Sequence, residues 1–382
     1  MDKINLLATV AVVAISISLF LSLFLISVKT IHKLSNRLFS FFLILTAVDI
    51  SSNLGHLSEI PLSARIFISS IFFLQLPTFY LYVLSVCYSD FRLKLTHLIH
   101  VIPFLLANLI FLPRFYTADL ASQISFLANG GSQPEVQFNH VLVHVQCVFY
   151  IVASFMILRK ARKIYLENYT GASLESLTWL FQFTVALSVF FVIALLKNIF
   201  KFADYPNISN WLKVGLILAE LIIIFWYLYK ALNNPDLFRN VNSKLKLVSD
   251  IISEEKNNKP VAIDEEENSF AIVKLKQYML EEKPFLNPSL TIQDVSKDIK
   301  IPVRELSILI NHNLEQHFYD FVNVYRIDYA SVILKDVTKN KVTVLEILYA
   351  SGFNSKSSFN TAFKKQTGKT PTEYRKSSRT AT

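Results

Sequence analysis

Histidines and carboxylates within apolar segments are the residues of this 382-residue sequence whose types and spacing could do chemistry. His97 and His100 are three positions apart, and His140 and His144 are four apart, so each pair lies on one face of a helix. Imidazole nitrogens arranged in this way can bind a metal ion. A site made of all four histidines is therefore the first hypothesis, and it depends on whether the two pairs meet.

Two carboxylates, Asp49 and Glu220, lie near the middle of apolar segments. A charged side chain at the centre of a bilayer is costly unless it is paired or hydrated. Two interpretations stay open. Either these carboxyl groups are protonated or bound to water and fix the packing of helices, or they bind a ligand, a proton or a cation.

The segments that must position these residues are unusually apolar. Hydrophobic residues make up 52% of the chain and charged residues 18%, and the mean hydropathy is +0.40, which is too apolar for a single soluble domain. Because an unpaired backbone cannot cross hydrocarbon, each apolar stretch of bilayer-spanning length predicts a helix. Seven such stretches can be identified: residues 4–28, 38–58, 66–88, 95–113, 140–158, 177–200 and 211–230.

Basic residues in the loops predict the orientation of the spans, because lysine and arginine concentrate on the cytoplasmic side. The loops after the first, third and fifth spans hold nine of them, and the opposite side holds six. This places the N-terminus outside and the chain after about Ala231 in the cytoplasm. His97 and His100 then lie at the cytoplasmic face and His140 and His144 at the outer face, ~20 Å or more away. No metal site is therefore predicted.

An outward-facing cluster remains as a candidate sensor. It comprises His56, His140 and His144, with Lys197 as a further candidate, and Asp49 and Glu220 are the carboxylates inside the spans. The alternative is that the histidines are interfacial residues in contact with water. The sequence contains no nucleophile motif, no glycine-rich phosphate loop and no His–Glu metalloprotease motif. We therefore expect no catalytic residue, no cofactor and no enzyme activity.

Charge is concentrated in the second half of the chain. Residues 231–382 hold 41 charged residues in 152 positions, whereas residues 1–230 hold 26. From Gly352 to Thr382 the net charge is +6, which predicts a polyanionic partner. The intervening residues 233–268 are polar and predict a solvated tether, within which Leu245–Ile252 could instead form a two-chain helical seam in a homodimer.

Two helix-turn-helix units follow the tether. Thr291 predicts the start of a first helix by side-chain capping, and Pro302 suits the first turn of the next one. Gly352 permits the sharp turn of the second unit. Between the units, Phe318–Leu334 predicts one helix of ~26 Å, a length compatible with recognition helices held about one DNA turn, ~34 Å, apart. The two units span about residues 291–313 and 343–367.

Several segments of this region resemble the signature of AraC-type transcription regulators. They are Gly352–Asn360, Phe363–Lys365, Thr367–Lys376, Phe318–Asn323, Tyr325–Ile327, Leu306–Ser307 and Ile310–Asn311, and the match covers about residues 270–377. In the membrane half, Pro77–Tyr82 and His100–Phe104 resemble patterns of the subgroup in which this domain follows a multi-helix membrane region. The resemblance implies a bacterial regulator that binds promoter DNA and contacts RNA polymerase.

The resemblance also implies which side chains meet DNA, since the second helix of each unit should enter the major groove. Lys364 and Lys365 should lie nearer to phosphates. Ile308 is apolar where the family commonly has a polar residue, and it could meet a thymine methyl group; Leu348 stands where the family usually has alanine. The full set is Arg304, Ser307, Ile308 and Asn311 in the first unit, and Lys356, Ser357, Asn360, Thr361, Lys364 and Lys365 in the second.

The predicted fold is all-α: a seven-helix transmembrane bundle in residues 1–232, a polar linker in 233–268 and a cytoplasmic double helix-turn-helix domain in 269–382. The predicted function is a multi-pass, one-component transcription regulator of the bacterial inner membrane. It would bind double-stranded promoter DNA in a sequence-specific way, under the control of a small-molecule or membrane-derived signal. One alternative is a seven-helix membrane enzyme or transporter with a regulatory DNA-binding tail. In another, the spans only anchor the DNA-binding domain.

Overall fold

The computed structural model describes residues 3–28, 33–52, 60–170, 173–202, 205–233 and 265–379. Within these ranges the regular structure is helical and no strand is formed, although one isolated bridge pairs Tyr169 with Thr291. The all-α prediction is confirmed. The chain divides into two compact units: Met1–Leu158 with Trp179–Asn240, and Arg159–Thr178 with Val241–Thr382.

The first unit is built from apolar helices. In chain order the helices of this part of the sequence are α1 (Lys3–Ser27), α2 (Lys33–Ser52), α3 (Leu62–Ser70), α4 (Gln75–Cys87), α5 (Ile102–Leu109), α6 (Leu120–Ala128), α7 (Pro134–Asn168), α8 (Ser173–Phe202) and α9 (Pro206–Asn233). The boundary between the two units falls within α7, after Leu158, and again within α8, before Trp179.

Six helical segments of the described chain are long and apolar enough to cross a membrane. They are Ala8–Ser27, Lys33–Ser51, Leu62–Cys87, Pro134–Asn168, Leu177–Lys201 and Asn207–Tyr227. Each overlaps one of the predicted spans.

The predicted span at 95–113 is shorter than the others. It forms a 3-10 turn followed by α5, and the apolar helix covers only Leu95–Leu109. Two prolines explain the interruption, because proline lacks a backbone N–H and breaks the helical hydrogen-bond ladder. Pro103 lies in the first turn of α5 and Pro113 in the first turn of a π-helical segment, Leu112–Tyr116. A seventh crossing therefore stays a prediction.

The first unit is held together by aromatic stacking and buried polar pairs. The rings of Phe39 and Tyr227 stack with centroids 3.9 Å apart. The Gln75 side-chain amide donates a hydrogen bond of 2.7 Å to the Thr46 hydroxyl. Because lipid removes the hydrophobic driving force between helices, such close packing and hydrogen bonding stabilise the association of α2, α4 and α9.

The second unit contains both helix-turn-helix units. Its helices are α10 (Glu265–Glu281), α11 (Ile292–Ile299), α12 (Val303–Ile308), α13 (Phe318–Lys335), α14 (Val344–Ala350), α15 (Lys356–Thr367) and α16 (Pro371–Arg379). The chain continues from α12 into a π-helical turn, Leu309–Asn313. The long helix predicted between the units is confirmed as α13.

Local capping starts the first helix of each unit. The Thr291 hydroxyl accepts a hydrogen bond of 3.3 Å from the Asp294 backbone N–H, and the Asp294 carboxylate accepts one of 2.9 Å from the Thr291 N–H. Thr343 and Glu346 form the same reciprocal pair at the start of α14. This box satisfies backbone donors that the helix itself cannot, so the capping predicted at Thr291 is confirmed.

Two hydrophobic clusters form the core of this unit. One surrounds Leu306, Leu309 and Val322, and the other surrounds Ile347 and Phe363. Leu348, where the family commonly has alanine, is buried in the second cluster. Because α13 contributes to both clusters, it holds the two helix-turn-helix units together.

Most of the predicted linker lies outside the described residues, and with it the seam proposed at Leu245–Ile252; so does the candidate sensor residue His56. The domain boundaries at 232 and 268 stay predictions. Sequence reasoning did not anticipate that Arg159–Thr178, named here the α7–α8 connection, belongs to the same compact unit as the helix-turn-helix domain.

Candidate nucleic-acid interface and membrane cavity

The second recognition helix, α15, is fixed by its ends and its buried face. The Ser355 hydroxyl accepts a hydrogen bond of 3.4 Å from the Ser358 N–H at the start, and Gly368 adopts the left-handed conformation, φ 74°, at the end. Phe359 and Phe363 are fully buried. Lys356, Ser357, Thr361, Lys364 and Lys365 are exposed, and Asn360 is half-buried.

Two polar residues near the end of α15 bind to α13. The Lys365 ammonium lies 2.8 Å from the Asp320 carboxylate, and the Gln366 side chain donates a hydrogen bond of 2.7 Å to Asp328. Both partners of the ion pair are partly exposed, so its net contribution is small, about 1 kcal/mol or less. A phosphate that binds Lys365 has to compete with Asp320.

The first recognition helix differs from the sequence expectation. Ser307 and Ile308, predicted to face outward, are buried, with 4% and 7% of their surfaces exposed. Burial is favourable for Ile308 because it removes an apolar side chain from water. The buried Ser307 is hydrogen-bonded, since the Asn311 amide donates to its carbonyl and hydroxyl oxygens at 3.0 and 3.2 Å. The expected outward position of these two residues is therefore wrong. Arg304 is exposed, as expected.

Asn311 has a structural role that its sequence position did not reveal. Besides its bonds to Ser307, its side-chain oxygen accepts a hydrogen bond of 3.3 Å from the Phe318 backbone N–H. It therefore ties the end of the first recognition helix to the start of α13. Contact of Asn311 with a base edge stays a prediction, and it would have to replace these bonds.

Arg326 is a buried charge that sequence reasoning missed as a functional residue. It is 1% exposed, and its guanidinium donates to the carbonyl oxygens of Phe285 at 2.7 Å, Asn287 at 2.8 Å and Thr170 at 3.0 Å, and to the Thr170 hydroxyl at 3.1 Å. Burial lowers the pKa of Arg326 to about 10, so the group stays protonated at neutral pH. Charge-assisted hydrogen bonds to several oxygens compensate the desolvation of the guanidinium.

The α7–α8 connection reaches Arg326 by pairing with the chain before α11. The Thr170 hydroxyl donates a hydrogen bond of 2.8 Å to the Leu290 carbonyl, and Tyr169 forms the isolated bridge with Thr291. Thr170 is 3% exposed. The start of the first helix-turn-helix unit is thus bound to a segment that precedes it by about 120 residues in the sequence.

A cavity of about 610 Å³ lies between the same connection and the recognition helices. Arg162 and Leu166 of α7 line it, together with three side chains predicted to contact DNA: Asn311, Thr361 and Lys365. All of these residues belong to the second unit. Part of the predicted DNA-contact surface therefore faces the C-terminal part of α7.

In the first unit, one cavity of about 440 Å³ brings together four of the five candidate sensor residues: Asp49, His140, His144 and Glu220. The side chains of His144 and Asn198 lie 3.3 Å apart. Lys197, Lys201 and Lys213 also line this cavity, and only the first was considered from the sequence. The other two could have been found from their positions in the sequence. Lys201 lies near the C-terminus of α8 and Lys213 near the N-terminus of α9, and in consecutive spans these ends lie on the side where α7 begins.

The other histidine pair, His97 and His100, lies outside this cavity. His100 is hydrogen-bonded to the Tyr150 hydroxyl at 2.7 Å, and His97 packs against His100 with ring centroids 6.2 Å apart. Over the residues that the structure describes, no three His, Cys, Asp or Glu side chains are grouped so that they could hold a metal ion.

Comparison with known proteins identifies the second unit. Residues 295–377 match the family model described as a helix-turn-helix domain. No curated protein and no solved structure matches the chain. The match runs from within α11 to within α16, and it includes the second cluster and part of the first. Residues 295–377 therefore form an AraC-type helix-turn-helix domain, which implies DNA-binding transcription regulation, and this domain follows a region of long apolar helices.

Proposed function

We propose that the protein is a one-component regulator in which a signal sensed in or at the membrane controls sequence-specific binding to promoter DNA. The observation behind this proposal is the helix-turn-helix match at 295–377, in a chain whose preceding half contains six helices able to span a bilayer. The two helix-turn-helix units are joined by α13, which has 18 residues and is ~27 Å long. That length suits recognition helices spaced by about one turn of DNA, ~34 Å.

The charge of the second unit supports DNA as the partner. Lys356, Lys364 and Lys365 lie on α15, whose other outward residues are polar. Lysines near phosphates release counterions and give affinity that falls with salt, whereas Ser357 and Asn360 can donate or accept hydrogen bonds at base edges. We expect α15 to supply most of the sequence preference, because Ser307 and Ile308 of the first helix-turn-helix unit are buried.

The proposed location is the bacterial inner membrane, with several crossings, the N-terminus outside and the helix-turn-helix domain in the cytoplasm. Two observations support this orientation. The C-terminal part of α7 is rich in basic residues, namely Arg159, Lys160, Arg162 and Lys163. The same part of α7 belongs to the compact unit that contains the helix-turn-helix domain, which requires both to be on one side of the membrane.

The route of the signal in this proposal is α7. This one helix includes His140 and His144, which line the membrane cavity, and also Arg162 and Leu166, which face the predicted DNA-contact residues. A ligand that favours one position of α7 over another would also favour one arrangement of the α7–α8 connection. We further expect a homodimer on DNA and a contact with RNA polymerase at the promoter.

The test begins with mapping the genomic DNA occupied by the full-length chain in cells. The recovered sequence is then bound to the full-length protein in lipid nanodiscs, at several salt concentrations and beside a scrambled duplex. The proposal predicts a preference for the recovered sequence of about 10³-fold or more. Equal affinity for both duplexes would contradict sequence-specific regulation.

A separate comparison distinguishes the membrane enzyme or transporter with a regulatory tail. Alanine at Asp49, His144 or Glu220 should change only how promoter output responds to stimulus. Loss of turnover of a membrane substrate in the same variants, with promoter output unchanged, would favour the alternative.

A further inference from the structure

The 440 Å³ cavity of the first unit has a basic side. Lys197 and Lys201 lie on the last turns of α8, Lys213 lies near the start of α9, and His140 and His144 lie near the start of α7. Its volume is within the range of small-molecule sites, about 300–1,000 Å³. Helix ends of three spans thus bring several cationic or protonatable side chains to one cavity.

The charges of the lining favour an anionic group. The lining contains three lysines and two carboxylates, Asp49 and Glu220, and Lys197 interacts electrostatically with Asp49. Lys201 and Lys213 are exposed, whereas both carboxylates are half-buried. An acidic ligand that enters the cavity therefore meets the ammonium groups of Lys201 and Lys213 before it approaches either carboxylate.

Part of the lining of the cavity is aromatic, and a second cavity adjoins this part. Phe72, Phe73, Phe190 and Phe191 line it. A second, small cavity of about 30 Å³ shares Phe190, Phe191 and Glu220 with the first, and it is otherwise mostly apolar. An apolar group of a ligand can therefore extend from the basic side towards the centre of the unit.

We propose that this cavity binds a small amphiphilic acid, with its carboxylate or phosphate at Lys201 and Lys213 and its apolar body against Phe190 and Phe191. The proposal names the ligand class of the sensor and so rests on the function proposed above. A free organic acid and the headgroup region of an acidic lipid share this chemistry. A purely apolar ligand would gain nothing from the lysines, and a small inorganic anion would gain nothing from the aromatic residues.

The test measures binding directly on the full-length protein in phosphatidylcholine nanodiscs by isothermal titration calorimetry. The probes are octanoate, octyl phosphate and 1-octanol, which share one chain length and differ in charge. Octanoate or octyl phosphate should bind saturably and at least about tenfold more tightly than 1-octanol. No saturable binding of either acid, or equal binding of acid and alcohol, would overturn the proposal.

Matched variants assign the binding to the lysines. The double variant Lys201→Gln with Lys213→Gln should lose about tenfold or more in affinity for the acid. Lys201→Arg with Lys213→Arg keeps both charges and should stay within about threefold of the original affinity. Arg92→Gln, at an exposed position outside the cavity, is the control for a general change of surface charge. Unchanged affinity in the glutamine variant would overturn the assignment even if the acid binds.

A lipid arm separates the two sources of the acid. In nanodiscs that contain phosphatidylglycerol, weaker apparent binding of octanoate identifies a lipid headgroup as a competitor for the site. Unchanged binding identifies a free acid as the ligand, and both results are compatible with the proposed chemistry. These titrations contain no DNA, so their outcome is independent of whether the protein regulates a promoter.

Discussion

The Arg326 guanidinium and Thr170 are joined by two hydrogen bonds, to the Thr170 carbonyl at 3.0 Å and to its hydroxyl at 3.1 Å, although 156 residues separate them in the sequence. Arg326 lies on α13, between the two helix-turn-helix units, and Thr170 lies in the α7–α8 connection. The relationship makes a loop between two apolar helices part of the DNA-binding unit.

The first prediction concerns Thr170. Thr170→Val keeps the shape but removes the hydroxyl that accepts from Arg326 and donates to Leu290. We expect the free energy of local opening of this segment to fall by about 1–3 kcal/mol, because the buried polar partners of the hydroxyl are left unsatisfied. Hydrogen exchange of the full-length protein should show faster exchange around Leu290 and Thr291. Thr338→Val, at an exposed position of the same unit, should leave that exchange unchanged.

The second prediction compares two glycines with positive φ. Gly352 has φ 84°, and a Cβ there would overlap the Phe285 carbonyl oxygen and the Leu286 backbone; Gly368 has φ 74° and open space around the same position. Gly368→Ala should cost about 1–2 kcal/mol from backbone strain alone. Gly352→Ala should cost clearly more, because strain and overlap add. Equal shifts in the thermal unfolding of the second unit would contradict this account.

The third prediction concerns the lysines of α15. Lys356→Gln and Lys364→Gln should each weaken DNA binding about uniformly across sequences and lower the slope of log K against log salt by about 0.9. Asn360→Ala should instead relax the preference at one base pair, by about 1–3 kcal/mol. Salt-dependent titrations with matched and mismatched duplexes separate the two effects. Lys276→Gln, exposed on α10, should change neither.

The fourth prediction concerns the pair between Lys365 and Asp320. Asp320→Asn removes the carboxylate 2.8 Å from the Lys365 ammonium and also a negative charge near the proposed DNA path. We expect affinity for DNA to rise several-fold at low salt, with a smaller gain at high salt because the effect is electrostatic. Glu282→Gln, which makes the same change of charge at an exposed position after the end of α10, should have little effect. A loss of affinity in Asp320→Asn would show that the carboxylate positions Lys365 for DNA.

The fifth prediction is a dependence on pH at the start of α14. The Thr343 backbone N–H and hydroxyl donate to the Glu346 carboxylate at 2.6 and 2.8 Å, and these bonds hold the pKa of Glu346 below its ordinary value of 4.5. Because the folded pKa is the lower one, the stabilisation is present above pH 4.5 and is lost as pH falls through the folded value. The free energy of unfolding, measured with denaturant between pH 6 and pH 3, should fall less steeply for Glu346→Gln than for the original protein. Glu305→Gln is the control.

Local signals made much of the helix-turn-helix domain predictable. The capping box at Thr291 and the apolar periodicity of 318–334 depend on residues within a few positions of each other, and the observed α13 ends one residue later than predicted. Composition located the six long spans in the same way. At 95–113 composition favoured a span, but Pro103 and Pro113 limited the regular helix.

What the sequence did not reveal depends on which distant segments meet. Helical spacing placed His140 and His144 on one face, but only packing brings them to the cavity that Asp49 and Glu220 also line. The burial of Ile308 is likewise a tertiary effect, since an apolar side chain on a predicted outer face can serve either role. No local pattern connects Thr170 to Arg326.

The boundary within α7 bears on how the C-terminal part can be studied in isolation. A fragment that starts after residue 232 keeps both recognition helices but leaves the Arg326 guanidinium without the two oxygens of Thr170. A synthetic peptide of residues 159–178, supplied in trans, carries Thr170 and should bind to such a fragment. The C-terminal fragment and the peptide of the α7–α8 connection would then behave as the two parts of a split protein.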